Sequence, residues 1–210
     1  MNETTVLLDA GHGGIIHGRY VTVGKRFYGF HSRPGCRKHI QLAEGAFNRA
    51  VVAGLQAKLH WHNIKTHWIN PENEDISLQA RARRVNEIAR RKKAVLLSVH
   101  HNAFDRPAVR GAEFFTSLGD TPADPIAEAI GKRFAKEFPS RPLRRSTINP
   151  SEYSKDAGYY ILKSTVCPAV LSEWEFMTNE AAREDIYQVD EQVNFFTNTI
   201  VDMFDTGLLA

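Results

Sequence analysis

The chain has 210 residues, 42% hydrophobic and 24% charged, with 27 basic against 24 acidic side chains, a formal net charge of +3 and nine His. This is ordinary globular usage, and the length can bury a core without staples, which excludes collagen-like, disordered and low-complexity chains. The charge balance suits an anionic substrate but is too small to indicate nucleic acid, and no apolar run approaches the roughly 20 residues that cross a bilayer.

Met1 to Asp9 has no basic segment, apolar stretch or small-residue cleavage site, so synthesis in the cytoplasm without a signal peptide is expected. Cys36 and Cys167 are too few and too far apart for a disulfide framework, and are expected as reduced thiols. No repeat or linker divides the chain, so a single domain over 1–210 is expected. The sequence carries no signature of an oligomeric state.

Thr5 to Leu8 reads as a buried strand closed by Asp9-Ala10-Gly11-His12-Gly13-Gly14. Ile15 to Ala43 shows no helical period, and within it Tyr20–Val23 and Arg26–Tyr28 are expected to form a hairpin about Gly24-Lys25. Phe47, Val51, Leu55 and Leu59 give a helix over 44–60 an apolar stripe. A strand is expected at 64–69, then a helix capped by Ser77 that ends in the basic run Arg90 to Lys93. The apolar run 94–99 is a strand ending in His100-His101-Asn102. Residues 112–116 form another strand and 122–138 a helix. The segment 139–158, with Arg141, Arg144 and Arg145, is expected to be a solvated mobile loop. A strand at 169–173, a short helix after Thr178 and a closing helix near 189–204 complete the chain.

Strands alternating with helices predict an α/β fold, a mostly parallel twisted sheet with helices on both faces. In such sheets chemistry collects beyond the carboxyl ends of the strands. Three strands end in a residue able to bind metal or move a proton: His12, His100 and Glu173. Catalytic zinc takes three protein ligands and leaves a fourth position open. His12 and His100 are two candidates. Glu44, on the inward stripe of the 44–60 helix, is the third, against the alternative of a solvent-facing charge in a helix's first turn. His60 and His62 fall at a helix end, His67 within a strand, and His17, His31 and His39 in the long excursion. No His-Glu-x-x-His motif or phosphate loop is present.

Val6-Leu7-Leu8-Asp9-Ala10-Gly11-His12-Gly13-Gly14 resembles the opening motif of the zinc-dependent N-acetylmuramoyl-L-alanine amidases. Ser98-Val99-His100-His101-Asn102-Ala103 resembles that family's Ser-x-His-x-Asn-Ala segment, and Pro168-Ala169-Val170-Leu171-Ser172-Glu173 its closing Pro-Ala-Val-Leu-x-Glu motif. Leu78, Arg81 and Asn86 are similar to the helix before the second His. The resemblance implies one zinc per chain on His12, Glu44 and His100, with Glu173 as catalytic carboxylate. The reaction it implies is hydrolysis of the amide between the muramic acid lactyl group and L-alanine in peptidoglycan. The family usually has Gly where Glu175 stands, which leaves two carboxylates close together. Asn102 and Glu175 are candidate substrate contacts, with Glu175 expected to face substrate or solvent in the loop after the strand.

No separate wall-binding domain is expected, and a free-standing form without a signal peptide is similar to phage lysis enzymes, which reach the cell wall once the membrane is breached. Another zinc peptidase acting on a different wall bond, or a non-catalytic wall-binding domain, are the alternatives. Peptidoglycan is the expected partner, without nucleic acid or membrane insertion. Arg81, Arg83 and Arg84 with Arg90 to Lys93 are expected to form one solvated helix side.

Overall fold

The structure, a computed structural model, describes residues 4–30 and 39–209. Strand β1 (Thr5–Ala10) leads into two short strands, β2 (Ile15–Ile16) and β3 (Arg19–Tyr20), and then β4 (Arg26–Phe30) and β5 (His39–Ala43). Helix α1 (Glu44–Trp61), β6 (Thr66–Trp68), α2 (Leu78–Ala89), β7 (Ala94–Asn102) and β8 (Glu113–Thr116) follow. The remainder is α3 (Asp124–Glu137), β9 (Lys155–Asp156), α4 (Tyr160–Lys163), β10 (Ala169–Phe176), α5 (Glu180–Tyr187) and α6 (Val189–Asp205).

Six strands form the main sheet in the order β6-β1-β7-β10-β8-β9. β1 pairs in parallel with β6 and β7, and β7 with β10, while β8 runs antiparallel to β10. The fold is therefore the expected α/β class with a mostly parallel sheet. The central strands are apolar on both faces because both are covered. Val6, Leu8, Val95, Leu97 and Trp174 face one helical layer, against Val51 and Leu55 of α1, Phe134 of α3 and Phe195 and Phe196 of α6. Leu7, Leu96 and Leu171 face the other, against Ala82 and Val85 of α2 and Ile161 of α4. Trp174 sits among Phe134, Phe138, Phe195 and Phe196 with ring centroids 5.3–5.7 Å away, so truncating this indole costs about 3–5 kcal/mol.

Two expectations are corrected here. No hairpin forms about Gly24-Lys25: β3 pairs with β2, and β4 pairs with β5 from Arg26↔Ala43 to Phe30↔His39. The segment between is drawn inward instead, since Thr22 Oγ1 accepts from Gly13 N at 2.8 Å and donates to Asp75 at 2.8 Å. Segment 139–158 is anchored rather than free. β9 pairs with β8, Leu143 bridges Ala112, Arg141 meets Asp185 at 2.8 Å, and Arg144 meets Glu113 at 3.1 Å.

Ser77 caps α2 as expected, accepting from Ala80 N. Cys167 is a free thiol that burial pushes up to about 11, while Cys36 and His31 lie outside the described residues. No helix among the described residues is long and apolar enough to cross a membrane.

Candidate active site

The site lies at the carboxyl ends of the strands, where the loop after β1, the first turn of α1 and the end of β7 touch. Close approach is made possible by two glycines. A Cβ on Gly11 would stand 2.2 Å from the His100 ring, and one on Gly45 would stand 1.9 Å from the Gly13 carbonyl oxygen. The Asp-Ala-Gly-His-Gly-Gly run therefore shapes a backbone on which imidazole and helix can meet. His12 itself has φ 64, a left-handed conformation that is strained for a non-glycine residue.

That strain is held by buried arginines. The His12 carbonyl accepts from Arg49 Nη2 at 3.1 Å and Arg81 Nη2 at 3.0 Å. Arg81 Nη1 also donates to Asp9 Oδ1 at 3.0 Å and to the Ala10 carbonyl at 2.7 Å. Asp9 Oδ2 accepts from Ser98 Oγ at 2.6 Å, tying β1 to β7. Arg81 and Asp9 are 2% and 1% exposed, so this pair is paid for by good geometry rather than by solvent. The expected solvated basic side of α2 is thus corrected at Arg81. Its stripe, shared with Val85, faces the sheet.

Glu44 is buried, with Oε2 3.1 Å from His12 Nε2 and Oε1 3.1 Å from His100 Nδ1. The backbone N–H of His101 donates to the same Oε1 at 3.3 Å. No Lys or Arg among the described residues pairs with this carboxylate. Burial would raise its proton affinity, but hydrogen bonds and charge from His100 and His12 outweigh that and hold it well below the usual carboxylate range. Burial likewise opposes charge on His100, yet Glu44 and Glu173 outweigh it and raise its pKa. The alternative of Glu44 as a solvent-facing helix charge is corrected by this burial. Donor atoms of His12, Glu44 and His100 all lie within 4.8 Å of one another, and two imidazoles with one carboxylate are a donor set that zinc accepts.

Adjacent histidines separate as strand alternation requires. The His101 ring turns into the core, where Nδ1 lies 2.7 Å from Asn48 Oδ1 and Nε2 lies 3.1 Å from Gln192 Oε1. Burial pushes its pKa down to about 4. His60, His62 and His67 are exposed elsewhere, and His17 lies exposed after β2.

Glu173 lies on β10 opposite His100 of β7 and Glu113 of β8. Its Oε2 is buried without a hydrogen-bond partner. Burial, reinforced by Glu44 and Glu113 and opposed by His100, raises its pKa to about 8. A cleft of about 430 Å³ joins it to His12, Glu44, His100 and Asn102, with Lys25 and Tyr159 at its margin. Asn102 is held in place, its Nδ2 donating to Glu113 Oε2 at 2.9 Å. Glu113 also accepts from Arg144 at 3.1 Å and Lys155 at 2.6 Å. Sequence reasoning missed Glu113, a lone acid at the start of a short strand, and it missed Arg49.

Glu175 does not reach the cleft. β10 continues to Phe176 with a register shift after Glu173, and Glu175 is fully buried. It accepts from Gly111 N at 2.7 Å and from Phe176 N at 3.1 Å, with Arg110 at 3.4 Å. The expected substrate- or solvent-facing carboxylate is therefore a structural one, because the strand outruns the loop assigned to it.

Fold and site together define an α/β enzyme with a candidate metal centre beside a buried carboxylate. The family model described as Amidase_3, N-acetylmuramoyl-L-alanine amidase, matches residues 6–202, and the chain belongs to that family. It is an N-acetylmuramoyl-L-alanine amidase, whose substrate is peptidoglycan. No curated protein matches the chain. Among solved structures it is similar to the N-acetylmuramoyl-L-alanine amidase from Clostridium difficile 630, at 21% identity and TM-score 0.74 over 98% of both chains. It is also similar to amidase AmiC2 of Nostoc punctiforme, at 18% identity and TM-score 0.73 over 97% and 98%. The catalytic domain of the CD27L endolysin targeting Clostridia difficile shares 16% identity at TM-score 0.65 over 95% and 97%.

Proposed function

We propose that this amidase is zinc-dependent, that His12, Glu44 and His100 hold one zinc per chain, and that Glu173 is the catalytic carboxylate. The observation that carries the reading is the Glu44 carboxylate, buried, ion-paired with no Lys or Arg among the described residues and flanked by two imidazoles at 3.1 Å each. Such a charge is costly without a cation. Zinc, when bound, supplies Lewis-acid polarisation of the scissile carbonyl and acidifies water.

The chain's own residues do the rest. Glu173 carries the proton from the attacking water to the leaving amine of L-alanine, and its raised proton affinity and unpartnered Oε2 suit a group that must hold that proton between the two events. Asn102, fixed by Glu113, presents its amide to the substrate at the end of β7. Lys25 at the cleft margin offers a cation to the carboxylates of the stem peptide. Arg81 and Arg49 hold the His12 backbone in its strained form so that the ligand set is preorganised. The enzyme acts on the cell wall as a single catalytic unit over the matched residues, in the manner of a lysis enzyme, without engaging nucleic acid or inserting into membrane.

Digestion of purified sacculi, with the new ends identified by mass spectrometry, tests the reading. New L-alanine amino termini that disappear on chelation and return with zinc are the expected result. Activity unaffected by a strong chelator would overturn the zinc assignment, and ends at another peptide bond would make the chain a different wall peptidase.

A further inference from the structure

The sheet has a second pole. β1, β6 and β7 run parallel, so the segments that feed them, including 63–65 and 90–93, meet at one end, and the ligand-bearing ends of β1 and β7 lie at the other. Six residues of β1 set the two poles about 20 Å apart. At the far pole a groove of about 760 Å³ is lined by His60, Lys65, His67, Arg91 and Lys92. A neighbouring depression adds Lys93 to Lys65 and Lys92. One wall is the turn between α1 and β6, and the other is the turn between α2 and β7. Glu87 is the acid among the groove's lining residues, and it stands 4.0 Å from Arg83. Trp61, next in sequence to the lining residue His60 at the end of α1, is 86% exposed.

Cations clustered at one end repel one another, and nothing in the hydrolytic site uses them. Their concave arrangement selects among anionic partners. A bilayer surface would touch the rims and leave the floor at Thr5 and Thr66 empty, whereas a single polymer strand can lie between the walls. A lone exposed indole is not the row of aromatic side chains on which successive nucleic acid bases stack. A chain with one phosphate per repeat and no bases matches both features.

We infer that this groove binds a phosphodiester-linked polyol polymer. The inference rests on the proposed wall location for its partner class, and it leaves the catalytic cleft facing away from the bound strand toward the glycan and peptide mesh. Each Lys or Arg on a phosphate releases counterions, so binding should weaken steeply with salt.

The test uses the full zinc-loaded chain and soluble poly(glycerol phosphate), with binding followed by Trp61 fluorescence across a salt series. The comparison protein carries Lys65→Gln, Arg91→Gln and Lys92→Gln, all at exposed positions. Its affinity at about 50 mM salt should fall by at least about tenfold, and its log affinity–log salt slope by about 2–3. Its zinc content and its hydrolysis of a small soluble muramoyl peptide should match the parent protein. Absence of binding, or equal affinity and slope in the two proteins, overturns the inference. Tighter binding to phosphatidylglycerol vesicles or to a single-stranded oligonucleotide at equal phosphate overturns the choice of partner. Groove binding that survives while muramoyl peptide hydrolysis is absent supports the groove and counts against the catalytic reading alone.

Discussion

Arg81 of α2 donates to the carbonyl of His12 at 3.0 Å from a position only 2% exposed. One guanidinium thereby ties Asp9 and Ala10, at the end of β1, to His12 in the site. A ligand held in a left-handed backbone conformation is only as well placed as the contacts that hold it there.

Arg81→Met should therefore destabilise the protein by about 3–5 kcal/mol, because it strands the buried Asp9 carboxylate, and should weaken metal binding by about 10–100-fold. Urea unfolding and zinc competition measure the two effects. A loss below about 1 kcal/mol would contradict the buried-pair account.

His100→Ala should lose the metal, whereas His101→Ala should keep it. The second variant leaves Asn48 and Gln192 without their shared imidazole, at a cost of about 1–3 kcal/mol. Metal analysis of both folded variants decides. Metal lost only in the His101 variant would reverse the assignment.

The raised pKa of Glu173 has a signed consequence in the chelated protein. Between its unfolded value near 4.5 and about 8 the folded state holds more protons than the unfolded one, so this group's contribution to stability falls as pH rises through that window. Glu173→Gln removes the effect. Its melting temperature should exceed that of the chelated parent by a margin that grows from pH 5 and levels off above pH 8. A margin that is flat across that range would show that the carboxyl is not perturbed.

Glu175→Gln should lower stability by about 1–3 kcal/mol through its contacts with Gly111 and Arg110, yet keep zinc and most of the rate below its melting temperature. Glu173→Gln should keep zinc and lose at least about a hundredfold in rate. Paired rate measurements on one sacculus preparation distinguish them, and the opposite pattern would exchange the two roles.

The sheet and helices were legible because apolar runs and the Phe47–Leu59 stripe report burial directly. Two of the candidate ligands, His12 and His100, were legible because with Glu173 they end strands that a parallel sheet sets side by side, and Glu44 because it falls on the inward stripe of the helix that follows. The β4–β5 pairing was not legible, and a hairpin about Gly24-Lys25 was expected in its place, since β4 takes its partner from β5 across an intervening stretch, which no local turn signal encodes. Arg81 lay on a visible stripe with Val85, but its charge argued for solvent when buried Asp9 was its true partner. Glu113 gave no local signal at all, because its partners come from residues 102, 144 and 155. Glu175 was on the same alternation as Glu173, and only the extension of β10 to Phe176 shows that it is enclosed.

Metal content of Glu44→Gln by native mass spectrometry decides whether the buried carboxylate is a zinc ligand. One zinc per chain is expected in the parent protein and none in the variant at equal zinc supply, with the fold retained by circular dichroism. A variant that still carries one zinc with unchanged affinity would contradict the His12, Glu44 and His100 centre.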